Sequence, residues 1–361
     1  GLTDLLAVQE FCIAFAKLSQ EPAYINILQQ HQRLLPIVKL LLKTLDGYMF
    51  NSIIQESCCI AICRFCLQID AEALKACTSD ITSLLYRLME FPMLAAKYNE
   101  PKEKYISPLK RMQQKAKSVA NLNSSTGFKR IISAVNAVNT AEAAENKRKA
   151  YEGYIRVLAA GMSTVVAFTE RNIVCHDELL SKPTFLTRTV AIALKHKSHQ
   201  FIPRYCGATL AVYSFDTSSH DELATPKVLE DLFMLSRVDD ATVRELVATV
   251  FCNVSTNSRS RAQMIECNVM QILTLLSGTT NELLQELCAR CICNLTCSLE
   301  QHKKLIDNDI LQTLLMISLV RSVSHTTKQL AARAMLNMLV TEENLTARSE
   351  EHTSELQSRP H

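Results

Sequence analysis

"LVATVFCNVSTNSRSRAQMIECNVMQILTLLS" (residues 246–277) and "LCARCICNLTCSLEQHKKLIDNDILQTLLMIS" (residues 287–318) are one pattern written twice, 41 residues apart. Leu246 falls on Leu287, Ala248 on Ala289, Asn253 on Asn294 and Ile265 on Ile306, without a gap. The register also runs backwards. Val228, Val269 and Ile310 share a column, as do Leu229, Met270 and Leu311, and Leu232, Leu273 and Leu314. A two-residue slip carries it into "KQLAARAMLNML", where Leu330, Ala332 and Asn337 take the same places. Each unit holds two apolar patterns of 3.6 period separated by a short polar stretch, which reads as a pair of amphipathic helices. One such pair cannot bury its apolar face alone, whereas stacked copies share a continuous core.

The pattern reaches beyond these copies. "VQEFCIAFAKLS" followed by "HQRLLPIVKLLL" (residues 31–42) forms a unit near the start, and a second runs from Gln55 to Met89. A weaker one combines "VLAAGMSTVVAF" with "PTFLTRTVAIAL", giving six fairly complete units and a truncated seventh. The unit resembles the armadillo repeat, whose consensus reads "ALWALSNLA … NRxxIVEAGALPLLVxLL". That resemblance implies an all-α, right-handed α-solenoid superhelix working as a non-enzymatic protein-binding scaffold.

Composition agrees with helices and excludes several classes. The chain has 361 residues, 48% hydrophobic and 21% charged, with only 7 glycines and 9 prolines, too few for the turns of an all-β or doubly wound fold. A net charge of +3 demands neither nucleic acid nor a membrane surface, and no apolar run reaches the roughly 20 residues of a spanning helix. P-loop, dinucleotide, G-x-S-x-G and H-E-x-x-H signatures are absent, so the reading is no enzyme, no cofactor and no small-molecule substrate. His31, His176 and His302 stand at polar helix junctions, where capping or solvent contact is the default role.

Fourteen cysteines raise the question of metal or disulfides, most sharply at Cys288, Cys291 and Cys293. In the 41-residue register Cys288 shares its column with Val247 and Cys206, Cys291 with Val250, and Cys293 with Cys252 and Ala211. Exchange of Cys with Val and Ala is the mark of core packing. Residues two apart on a helix also point different ways, so the cluster cannot converge on one ion. Cys63 and Cys66 receive the same reading, and reduced thiols imply an intracellular, cytoplasmic protein.

The armadillo resemblance also designates a binding face. In that family an Asn on the third helix of each repeat lines a concave groove and holds an extended partner, which here implies Asn253, Asn294 and Asn337. A carboxamide offers both donor and acceptor to a peptide backbone. The competing reading is that these amides bond to the helix and loop that follow. One turn earlier stand Ala208, Thr249, Arg290 and Arg333, where nuclear-import adaptors carry Trp, and this chain has no Trp. Arg290 and Arg333 suggest an acidic or phosphorylated segment as partner, with pairing to Glu286 as the alternative.

Organisation is read as armadillo repeats over 1–96, a partly disordered basic insertion over 97–150, repeats again over 151–347, and an extraneous tail over 348–361. Between 101 and 150 there are eleven Lys or Arg against three Glu. Ile131, Val135 and Val138 mark an amphipathic helix in the later part. Lys110, Arg111, Lys115, Lys117, Lys147, Arg148 and Lys149 could serve a nuclear signal, nucleic acid or an anionic lipid surface, although no aromatic residues are interleaved among them for base stacking. Arg348 to Ser358 is what a common short-read sequencing adapter encodes in frame. With a start at Gly1 rather than Met, this marks the chain as a fragment whose activity could lie in a larger multidomain protein.

Overall fold

The computed structural model describes residues 5–48, 51–69, 74, 77–83, 86, 87, 89, 126–171, 173–182, 184–319 and 323–339; the side chains of 126–144, 147, 150 and 170–175 lie outside that description. Regular structure among these residues is helical throughout, with no strand. Two compact units divide the chain: Gly1–Asp70 with Ser83–Thr164, and Ala71–Thr82 with Val165–His361.

The first unit contains α1 (Leu5–Leu18), α2 (Pro22–Gln30), α3 (Leu34–Gly47), α4 (Ser52–Cys66) and α5 (Thr126–Arg171) as far as its residue 164. Helix α1 packs along α4, as does α3. Cys12, Val38, Leu41, Leu45, Ile54, Cys58 and Phe65 fill the space between them. Asn51 starts α4 by accepting the amides of Ile53 and Ile54, both at 3.1 Å, the usual service of an Asn at a helix N-terminus. Thr164 donates to the Cys59 carbonyl at 3.2 Å and Arg156 bonds Glu56 at 2.9 Å, so α5 joins this core. Helix α5 is continuous through position 150, where the sequence reading places a boundary. The part of the insertion that is described, 126–150, is helical.

The second unit contains α6 (Ile173–Leu180), α7 (Phe185–Lys195), α8 (Ile202–Tyr213), α9 (His220–Leu223), α10 (Pro226–Ser236), α11 (Ala241–Val254), α12 (Ser258–Glu266), α13 (Val269–Ser277), α14 (Glu282–Leu295), α15 (His302–Asp307), α16 (Ile310–Leu319) and α17 (His325–Leu339). Each repeat has three helices, one more than periodicity reveals. The first, α9, α12 or α15, is four, nine or six residues of mostly polar sequence. It therefore carries no apolar period and passes for a loop. Third helices pack side by side, α8 on α11, α11 on α14 and α14 on α17, and second helices do the same. A column of small residues permits this approach: Gly207, Ala248 and Ala289 are buried at the contact. A Cβ on Gly207 would stand 3.1 Å from the Leu246 side chain of the next repeat.

Helix starts are specified locally. Asp240 accepts the Val243 amide at 3.2 Å and Asn281 the Leu284 amide at 3.0 Å. Before α13 and α16 the chain turns through left-handed residues, Asn268 (φ 56°) and Asp309 (φ 58°), again 41 positions apart. The armadillo consensus has Gly at this turn. Asn and Asp tolerate the left-handed region better than other L-residues, whereas Thr184 (φ 61°) before α7 does not.

Cysteines behave as the register implies. Cys206, Cys288 and Cys291 are wholly buried in the repeat core, and burial pushes all three thiols up. Burial also raises Cys252, to about 11. Such thiols are neutral packing groups at neutral pH.

Candidate functional site

The third helices present a stripe of residues four apart, which share a helix face. From repeat to repeat the stripes read Arg204, Ala208, Val212; Glu245, Thr249, Asn253; Glu286, Arg290, Asn294; and Gln329, Arg333, Asn337. The three asparagines are half-buried, and each amide nitrogen is engaged. Asn253 Nδ2 donates to Ser214 Oγ at 2.9 Å, Asn294 Nδ2 to Ser255 Oγ at 3.0 Å, and Asn337 Nδ2 to Thr296 Oγ1 at 3.1 Å. Each hydroxyl then donates to a carbonyl in the last turn of its own helix: Ser214 to Ala211 at 2.7 Å, Ser255 to Cys252 at 2.6 Å and Thr296 to Cys293 at 2.8 Å. The amide thus reaches back to the preceding repeat rather than forward to the loop that follows. Asn294 Nδ2 also lies 3.5 Å from the Cys252 carbonyl and Asn337 Nδ2 3.4 Å from the Cys293 carbonyl, so among the described residues it is the amide oxygens that remain for other partners.

The flanking positions differ in their freedom. The Thr249 hydroxyl donates to the Glu245 carbonyl on its own helix at 2.9 Å. Arg290 bonds Glu286 at 2.6 Å with about half its side chain exposed, which is the pairing weighed above as the alternative. Arg333 is exposed, and no described acidic group pairs with it. Cys297, exposed at the end of this face, accepts a 3.5 Å contact from Asn337 Nδ2.

Two further polar lines follow the same repeat and were not anticipated from sequence. At the starts of the third helices, Arg204 Nε donates to Asp240 Oδ2 at 2.8 Å and Asn281 Nδ2 to Glu245 Oε1 at 2.6 Å, so the capping residue of one helix is held by the helix before it. Burial opposes ionisation of Asp240, but the Arg204 guanidinium and the amides of Val243 and Thr242 outweigh it and lower its pKa. At the helix ends, His220 Nε2 lies 2.8 Å from the Ser214 carbonyl and His302 Nε2 2.8 Å from the Thr296 carbonyl. A carbonyl only accepts, so both rings carry the proton on Nε2. His302 is therefore a cap, as its junction position implies.

His176 Nδ1 lies 3.6 Å from Asp177 and 3.8 Å from Asp216, the one group of three ligand-type side chains among the described residues that could hold a metal ion. Two of its members have structural roles. Asp216 caps Ser218 at 2.9 Å and the His176 ring stacks on Tyr213 at 4.1 Å. No cysteine belongs to it.

In the basic segment, Arg148 bonds Glu145 through two contacts of 2.9 Å and Glu152 at 3.2 Å, while Lys149 lies 3.7 Å from Glu145. The charges of this turn are thus largely matched along their own helix. Lys110, Arg111, Lys115 and Lys117 lie outside the described residues, as does the side chain of Lys147.

No family model matches the sequence, and no curated protein matches it. Solved structures do. A designed armadillo repeat protein, YIII(Dq)4CqI, aligns with a TM-score of 0.54 over 84% of this chain and 99% of its own, at 13% identity. The fold is that of the armadillo repeat. Two engineered proteins align comparably, with TM-scores of 0.56 and 0.54, identities of 12% and 15%, and 83% of this chain covered in each case; 96% and 98% of their own lengths are matched. Armadillo repeats here depart from the consensus in using Asn and Asp rather than Gly before the second helix and Arg rather than Trp beside the amide column. Among the described residues, no helix is long and apolar enough to cross a membrane.

Proposed function

We propose that the third-helix face of residues 204–340 binds an extended segment of a partner protein, and that this chain is a non-enzymatic scaffold. One observation carries the reading: Asn253, Asn294 and Asn337 recur on one half-exposed face, each with its nitrogen bonded to the neighbouring repeat and its amide oxygen left to accept a partner's N–H. Amides spaced by the repeat can pair with a peptide backbone whatever its side chains. The bond to the preceding hydroxyl fixes each amide's orientation, which lowers the entropy lost on binding. Arg333 and the half-exposed Arg290 add positive charge to the same face and favour carboxylate or phosphate on the partner.

Because the amides also tie repeats together, replacing them confuses stability with binding. The test is therefore made at the arginines. A set of extended peptides, neutral, Asp/Glu-rich and phosphoserine-bearing, is titrated against the chain by fluorescence anisotropy, with wild type beside Arg290→Glu/Arg333→Glu. The expected result is binding of the acidic or phosphorylated peptides, weakened at least tenfold by the double reversal and reduced by salt. Equal affinity of wild type and variant, or no binding of any peptide, sinks the reading.

A further inference from the structure

Where neighbouring third helices pack, the second unit brings small residues to the contact. Ser214, Ser255 and Thr296, which donate to carbonyls of their own helices, are each preceded seven residues earlier by Gly207, Ala248 and Ala289. Asp240 and Asn281, which cap α11 and α14, are followed seven residues later by Val247 and Cys288. From one third helix to the next, the corresponding pairs are therefore Gly207 with Val247 and Ala248 with Cys288. The same count applies in the first unit. Ser19 donates to the Ala16 carbonyl at 2.8 Å, and seven residues before it stands Cys12. Asn51 caps α4, and seven residues after it stands Cys58. Here both members of the pair carry sulfur.

The two sulfurs are in contact. The Cys58 thiol donates to Cys12 Sγ at 3.5 Å, across 46 residues of sequence, and both side chains are wholly buried between α1 and α4. That hydrogen bond lowers the Cys12 pKa against the opposing effect of burial, and together with burial it raises that of Cys58. Cys59, Cys206 and Cys288 are pushed by burial in the direction opposite to Cys12. Cys12 is thus the sulfur better placed to react as a thiolate, and Cys58 the one that keeps a proton to give up. A disulfide holds its sulfurs at about 2.05 Å, so bond closure needs a movement of about 1.5 Å shared between two packed helices.

We infer that Cys12 and Cys58 form a thiol–disulfide site, oxidised by hydrogen peroxide, that locks α1 to α4. Burial selects the oxidant: peroxide is little larger than water, whereas a bulky oxidant such as glutathione disulfide does not reach sulfurs without exposed surface. First, Cys12 Sγ attacks as a thiolate on one peroxide oxygen. The O–O bond breaks, the released hydroxide takes up the proton Cys12 had given up, and Cys12 becomes a sulfenic acid. Next, Cys58 Sγ attacks Cys12 Sγ. The S–S bond forms, the S–O bond breaks, and the hydroxyl leaves as water with the Cys58 proton. Two electrons pass from the two thiols to one peroxide, which yields one disulfide and two waters. The new bond closes a loop that contains α2 and α3, so the unfolded chain loses entropy and the first unit gains stability.

To test this, the reduced full chain is treated with hydrogen peroxide, alkylated in denaturant and digested for mass spectrometry. The exposed Cys297 reports the effective dose. The expected result is a linked peptide pair holding Cys12 and Cys58, reversed by dithiothreitol, with Tm raised by roughly 5–10 °C. Cys12→Ala and Cys58→Val install the residues that Ala248 and Val247 supply at the corresponding places, so the core stays filled. Each should abolish both the link and the rise in Tm, with helical content unchanged by circular dichroism. The wild-type peptide map stands without any variant: no link between Cys12 and Cys58 at a dose that fully oxidises Cys297 overturns the inference. A rise in Tm that survives either substitution, or a link that leaves Tm where it was, overturns it too. So does a link formed as fast by glutathione disulfide as by peroxide.

Discussion

Asn294 illustrates how one side chain can serve both folding and recognition. Its amide reaches Ser255 Oγ at 3.0 Å, and that hydroxyl reaches the Cys252 carbonyl at 2.6 Å, one of the end carbonyls a helix leaves without an internal partner. A double-mutant cycle on Asn294→Ala and Ser255→Ala is expected to give a coupling of about 0.5–1.5 kcal/mol in urea unfolding. Additive losses would mean that the contact contributes nothing beyond its separate members. Backbone conformation offers a second residue-scale prediction. Thr184 is β-branched, sits at φ 61°, and makes no side-chain bond to the helix it precedes. The left-handed region costs an L-residue about 1–2 kcal/mol, and Gly gives back part of that through its freer unfolded chain. Thr184→Gly is accordingly expected to stabilise the fold by roughly 0.5–1 kcal/mol. Asn268→Gly, where Asn already tolerates φ 56°, should change stability by no more than a few tenths.

Between elements, the repeat core depends on thiols staying neutral. Burial raises Cys252 to about 11, with the neighbouring Arg290 pulling down and Glu286 pushing up. Its folded pKa lies above the unfolded value near 8.5, so its contribution is complete below that pH and is lost as pH climbs towards 11. Cys252→Ala uses the residue that position 211 already carries in the same column, and it removes the titration. Unfolding free energy of wild type should therefore fall more steeply between pH 8.5 and 11 than that of C252A, by on the order of 2–3 kcal/mol at the upper end. Parallel pH profiles would show that the thiol ionises in the folded protein as readily as in the unfolded chain. The core role of these cysteines was legible because Cys alternates with Val in one column of the repeat and with Ala in another. The polar lines were not. Arg204 meets Asp240 and Glu245 meets Asn281, both 36 residues apart, whereas the repeat is 41. Neighbouring helices join different columns, and that offset comes from helix packing, which a register taken along the chain does not contain. The Asn-to-hydroxyl bonds were hidden for the same reason: 39 residues separate Asn253 from Ser214 and Asn294 from Ser255. The short first helices left no trace because four to nine polar residues show no period.

At the scale of the repeat array, stability is a sum of each repeat's own terms and those of its interfaces with neighbours. Helix α11 lies between α8 and α14, and α14 between α11 and α17. Helix α17 has α14 on one side and, on the other, the leucine face of residues 311–339. The small columns that bury Ala248 and Ala289 against the following helix bury nothing at Ala332. Sub-global opening should therefore begin at α17, because releasing it gives up one third-helix neighbour while releasing α11 gives up two. Native-state hydrogen exchange on dilute protein is expected to rank slowly exchanging amides in the order α17, α14, α11 from least to most protected. Leu336→Ser makes the ranking decisive. The substitution removes mostly exposed apolar surface, so protection of α14 and α11 should stay as it was. A uniform rise or fall across all three helices would mean that the second unit opens as one cooperative block, with the leucine face coupled to its whole length rather than to its last repeat.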